Sequence, residues 1–247
     1  MNLRSSNPAL SDKVFGPQHY VATSNGAMTV AGTAQKSAIL IGCCLLTTMF
    51  TWQQFTAGHS VVGWMIFGAV GGLIVAIVTC FKQELSPITA PIYALLEGFF
   101  LGGLSAQVNA VYPGLPIQAV LLTMGTAGVI LYGFTNGYLT VTDKLRSVVI
   151  AATAGIFVVY LLSFVLGLFG ANIPFIHGNG IIGIGFSLLV IGIASLNLLM
   201  DYDQISRQAQ NGAPSYMEWY GAFAFMVTII WLYVEFLRLL MKLRSRN

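Results

Sequence analysis

Four acidic side chains set in or against apolar runs are the residues of this sequence most able to do chemistry. Glu97 lies near the middle of Ala94-Leu95-Leu96-Glu97-Gly98-Phe99-Phe100-Leu101. Asp201 and Asp203 follow a long apolar run in Leu198-Leu199-Met200-Asp201-Tyr202-Asp203-Gln204-Ile205, with Asn197 one helical turn earlier on the face of Asp201. Glu235 stands with Arg238 in Trp231-Leu232-Tyr233-Val234-Glu235-Phe236-Leu237-Arg238. An ionisable group at bilayer depth costs several kcal/mol, so such groups face a bundle interior or a wet path. The chemistry open to them is proton exchange and oxygen coordination of a cation.

Each acid also has a plainer reading. Glu97 could be a protonated or hydrogen-bonded group joining helices, and Glu235 could simply neutralise Arg238 three positions on. Asp201, read as the end of its run, sits at a helix C-terminus, the unfavourable end for an anion. A cation, a basic side chain or a proton is then expected to offset that cost. In the last run Thr228, Trp231, Glu235, Arg238 and Lys242 form one polar stripe, expected to face protein or water.

Covalent catalysis has little to work with. The histidines, His19, His59 and His177, fall in a tail and in connectors, and no HExxH or GxSxG pattern occurs. Cys43, Cys44 and Cys80 lie in or at the ends of apolar runs without metal-ligand spacing, so they read as small buried hydrophobes. The chain reads as no enzyme and as needing no cofactor.

The elements that carry these residues follow from composition. The chain is 56% hydrophobic and 8% charged, against about 25% charged in soluble domains. It is expected to be an all-α polytopic membrane protein whose main partner is the lipid bilayer. The net charge of +3 is small and scattered, which argues against nucleic acid. Residues 1–36 read as a polar N-terminal tail and 37–247 as a seven-helix transmembrane domain. The spans are expected at 37–55, 61–81, 88–111, 115–139, 148–170, 181–200 and 222–242, near the ~20 residues that cross a bilayer.

Connectors 57–60, 112–114 and 171–180 lack Lys and Arg, whereas Arg4, Lys13, Lys36, Lys82, Lys144, Arg146 and Arg207 collect on the other side. The positive-inside rule therefore puts the N-terminus in the cytoplasm. Seven full crossings then place Lys242, Arg244 and Arg246 outside, outvoted by the rest.

The segment Asp201-Tyr202-Asp203-Gln204-Ile205 and the helix motif Leu232-Tyr233-Val234-Glu235-Phe236 resemble the Bax inhibitor-1 (YccA-like) membrane family, the second with glutamate in place of aspartate. The opening Arg4-Ser5-Ser6-Asn7-Pro8 is similar to a bacterial branch of it. The resemblance implies seven helices with the last one central in the bundle. It also implies a pH-sensitive calcium leak or transporter of the inner membrane, gated by a carboxylate pair that carries over to Asp201 and Glu235. Two carboxylates close together in low dielectric do not both ionise cheaply, so such a pair shares a proton. Fully ionised, it offers hard oxygen ligands for transient Ca²⁺. Asp203 belongs with this proton-sensing group, and Glu97, Asn197 and Arg238 are supporting polar residues. The family resemblance also admits a non-conducting interaction protein that modulates a membrane protease or a stress or cell-death pathway.

Pairing Asp201 with Glu235 requires 206–221 to run along the membrane surface, with Tyr216, Trp219 and Tyr220 at the interface, before the last helix descends. In a plain hairpin turning near Gly212, Asp201 faces about Phe223 instead, leaving Asp201 with Asp203 or Arg207 and Glu235 with Arg238.

Overall fold

A computed structural model describes residues 26–170, 178 and 180–246 of the chain. Among them are seven long helices: α1 (Val30–Thr56), α2 (Val62–Phe81), α3 (Ser86–Val111), α4 (Leu115–Thr135), α5 (Asp143–Leu168), α6 (Ile181–Gln210) and α7 (Met217–Arg244). All seven are long and apolar enough to cross a membrane. Helices satisfy their backbone groups internally, as hydrocarbon surroundings demand. Their outward faces carry large exposed apolar side chains, among them Leu46 (68%) on α1, Leu73 (62%) on α2, Val129 (70%) on α4 and Phe157 (65%) on α5. In water that surface would be an aggregation liability, and in a bilayer it is matched to the solvent.

Local chemistry sets the helix ends. Thr29 caps α1, its hydroxyl accepting from Gly32 N at 2.8 Å. Thr142 caps α5 in the same way, accepting from Leu145 N at 3.2 Å. Gly114, at φ 80°, turns the chain between α3 and α4, and Pro116 opens α4 where its missing N–H costs nothing.

Several helix ends differ from the sequence expectation: α4 stops at Thr135 and not at 139, and α5 starts at Asp143 and not at 148. α1 begins at Val30, so residues 30–36 belong to the first helix and not to a tail. Residues 1–25 of that tail lie outside the described residues, with Asp12 and His19 among them, as does His177. α6 continues past residue 200 through the whole Asp201–Ile205 segment to Gln210, and α7 starts at Met217, not at 222. The surface excursion over 206–221 is therefore absent. Its place is taken by the last turns of α6, a tight turn through Gly212 at φ 69°, and the first turn of α7. Asp201 lies more than two turns inside α6, so the dipole penalty of a helix end does not fall on it.

α7 is the most buried helix and packs against α1, α3, α4 and α6, which makes it the centre of the bundle. α2 lies along α3, and α5, the least buried, lies along α6. Small residues let α1 approach α3 closely: a Cβ on Gly102 would stand 2.5 Å from the Thr48 carbonyl oxygen. Thr47 and Thr48 hydroxyls cross that seam to the carbonyls of Leu95 (2.8 Å) and Gly98 (3.2 Å).

Candidate functional site

The polar stripe of α7 faces protein, and it meets α5 and α6 in three tiers. In the first, the buried Thr228 hydroxyl donates to Asp201 Oδ2 at 2.6 Å. Asp201 also borders a cavity of about 20 Å³ shared with Gln204, Gln208 and Tyr220, large enough for about one water molecule.

The second tier is built on Glu235, whose residue is 1% exposed. Its Oε1 accepts from Tyr160 Oη and from Arg238 Nη1, both at 2.9 Å. Arg238 Nη1 donates to Tyr160 Oη at 2.7 Å, and its guanidinium lies 5.0 Å from the centre of the Tyr160 ring. Glu235 Oε2 is buried with no hydrogen-bond partner among the described residues. In the third tier, Lys242 Nζ donates to Gly183 O and Ser187 Oγ on α6, both at 2.9 Å.

Two further contacts fasten α5 to α6. Asp203 is buried, and its Oδ2 accepts from Arg146 Nη2 at 2.7 Å and from Arg207 Nε at 2.8 Å. Asn197 Nδ2 donates to Thr153 Oγ1 at 2.7 Å and to Ile193 O at 2.9 Å.

The expected carboxylate pair is thus not in contact. Asp201 bonds Thr228, and Glu235, seven residues further along α7 than Thr228, bonds Tyr160 and Arg238. Those residues correspond to roughly 10 Å along the helix axis at 1.5 Å per residue. The hairpin is the physical reason: because the surface excursion does not exist, α7 rises beside Asp201 in a register that offers Thr228. Asp203 joins Arg146 and Arg207, apart from Asp201 and Glu235. Glu97 stands apart on α3 against α2, where a Cβ on Gly72 would be 2.8 Å from its Oε1.

Sequence reasoning missed Tyr160, an ordinary aromatic within an apolar run, and it missed a clamp at the end of the bundle where α7 begins. There Glu218 Oε1 accepts from Thr29 N and from Thr29 Oγ1, both at 2.8 Å, while Oε2 pairs with Lys36. The Lys36 ammonium also stands 5.6 Å from the centre of the Trp219 ring. Met28 N donates to Ala213 O at 2.7 Å, so the segment entering α1 is tied to the α6–α7 turn. Glu218 in a first helical turn was the one available signal. Among the described residues, no three His, Cys, Asp or Glu side chains gather to hold a metal ion.

A central helix carrying buried acids and bases, set among apolar helices, defines an α-helical integral membrane protein. The chain belongs to the Bax inhibitor 1 like family, whose model matches residues 7–245. No curated protein and no solved structure matches the chain significantly.

Proposed function

We propose that this protein is a pH-sensitive cation leak, with calcium as the permeant ion, lying in a bacterial inner membrane with its N-terminus cytoplasmic. The observation that carries this reading is Glu235: a carboxylate 1% exposed, at the depth of the apolar spans, with one oxygen left without a hydrogen-bond partner among the described residues. A buried acceptor in that state is costly as a structural element, and it is the kind of group that takes up a proton or a cation in passing. Asp201 supports the same reading, being held by a single hydroxyl beside a small cavity that Gln204 and Gln208 also line.

The gate has two tiers, Asp201–Thr228 and Glu235–Tyr160–Arg238, acting in series along α7 and not as one proton-sharing pair. Proton exchange at Glu235 changes what Arg238 is held by, since Oε1 accepts from both Arg238 and Tyr160. Proton exchange at Asp201 changes whether it accepts from Thr228 or donates. Ionised, both acids supply the hard oxygens that suit Ca²⁺ in transit. The test is cation flux into liposomes holding the purified protein, wild type against Asp201→Asn and Glu235→Gln. Altered flux in folded variants supports the leak, and no flux in any form points to a non-conducting interaction protein.

A further inference from the structure

α7 has a second face. Met226, Ile229, Ile230 and Tyr233 project on the side of the helix opposite Thr228, Glu235 and Lys242, as a period of 3.6 residues per turn requires. That face forms the floor of a crevice of about 200 Å³ between α1 and α4. Leu45 on α1 and Val120 and Met124 on α4 stand exposed at its mouth, while Met226, Thr123 and Leu101 are buried inside it. The crevice therefore opens sideways. Ile41 and Thr48 of α1 and Ser105 of α3 line it well inside their helices, so its depth is that of the hydrocarbon layer and not of the headgroups.

The hydroxyls in its wall decide what can occupy it. Thr48 donates to Gly98 O at 3.2 Å, Thr123 donates to Ala119 O at 2.8 Å, and Ser105 and Tyr233 share a hydrogen bond of 2.7 Å. All four are engaged within the protein, so the crevice presents hydrocarbon. Its volume exceeds the roughly 150 Å³ apolar cavity that takes a benzene-sized guest. At this depth, with this opening, the matching occupant is an alkyl chain.

We propose that the crevice between α1 and α4 binds one acyl chain of a phospholipid from the surrounding bilayer, laid against the apolar face of α7. The site braces the central helix from behind while its opposite face carries Asp201's partner Thr228 and Glu235. This inference is independent of ion conduction, and its test does not use flux.

The experiment places the full-length protein in vesicles of phosphatidylethanolamine and phosphatidylglycerol containing a phospholipid with a diazirine in mid-chain. After illumination, the labelled residues are mapped by mass spectrometry. Labelling is expected to concentrate several-fold on Ile41, Leu45, Val120 and Met124, relative to lipid-facing Ile66 and Leu73 on α2. Val120→Trp, at the exposed mouth, is expected to fill the crevice and return labelling there to the α2 level, with helix content and melting unchanged. Equal labelling of crevice and α2 residues in the wild type means ordinary boundary lipid and overturns the proposal. Disulfide cross-linking of single cysteines placed at Val120 in two copies, with the crevice residues unlabelled, makes a second copy the occupant and also overturns it.

Discussion

Thr228 on α7 donates to Asp201 on α6 at 2.6 Å, seven residues before Glu235 in the same helix. The length of the α6–α7 turn fixes this pairing. α6 runs to Gln210 and α7 starts at Met217, so the residue reached opposite Asp201 falls a little beyond the Phe223 that a turn centred on Gly212 suggests. Asp201 and Glu235 thereby have different neighbours, and their effects should be separable.

Thr228→Val is the cleanest way to isolate the first tier. It keeps the shape of the side chain but leaves Asp201 without its donor, at a cost of about 1–3 kcal/mol. A modest fall in melting temperature and a shifted pH midpoint of flux are expected, and Thr228→Ser should restore both. A valine variant identical to wild type in both measurements would remove Thr228 from the site.

The clamp at the start of α7 joins residues 189 positions apart and should matter for stability more than for conduction. Lys36→Met leaves the buried Glu218 without its cation, which costs about 3 kcal/mol or more when one partner of a buried pair is removed. Adding Glu218→Gln should recover part of the loss. Thermal unfolding in detergent of the two singles and the double makes the cycle, and simple additivity would show that the pair is not coupled.

Two glycines give opposite expectations. Gly102→Ala drives a methyl against the Thr48 carbonyl and should destabilise by about 1–3 kcal/mol, as overpacking does. Gly42→Ala, on α1 with no atom within 4 Å of the added carbon, should be neutral or slightly stabilising. Equal effects from both substitutions would mean that the α1–α3 seam is looser than described.

At Asp203, Arg146 and Arg207 differ in exposure, with side chains 35% and 56% exposed. Arg146 is also the one that spans from α5 to α6. Arg146→Gln should therefore speed hydrogen exchange at the start of α5 markedly, and Arg207→Gln only slightly, because the exposed partner is better screened. The reverse order would contradict the tethering role of Arg146.

Much of the fold is legible in the sequence because a membrane span announces itself by length and hydropathy. Each of the seven helices has at least one end within about two residues of the expected one. The stripe from Thr228 to Lys242 is legible for the same reason, since helical periodicity alone puts those residues on one face. The C-terminal end of α6 and the start of α7 are not legible in this way. Asp201, Asp203 and Arg207 read as a polar stop, yet the Asp203–Arg207 bond at one-turn spacing and the tie to Arg146 are compatible with a continued helix. Contacts over long separations, such as Thr29 with Glu218 or Tyr160 with Glu235, depend on how helices are arranged around α7. Residue type and spacing do not encode that arrangement.

In the proposed cation path Asp201 and Glu235 act as two separate tiers. The direct measurement is calcium flux into liposomes at mildly acidic and mildly alkaline pH, for wild type, Asp201→Asn, Glu235→Gln and the double variant. Each single substitution should change the pH response in part and the double should abolish it, with all four proteins folded and inserted. Flux that is absent throughout, or whose pH response is untouched in the double variant, would contradict the claim.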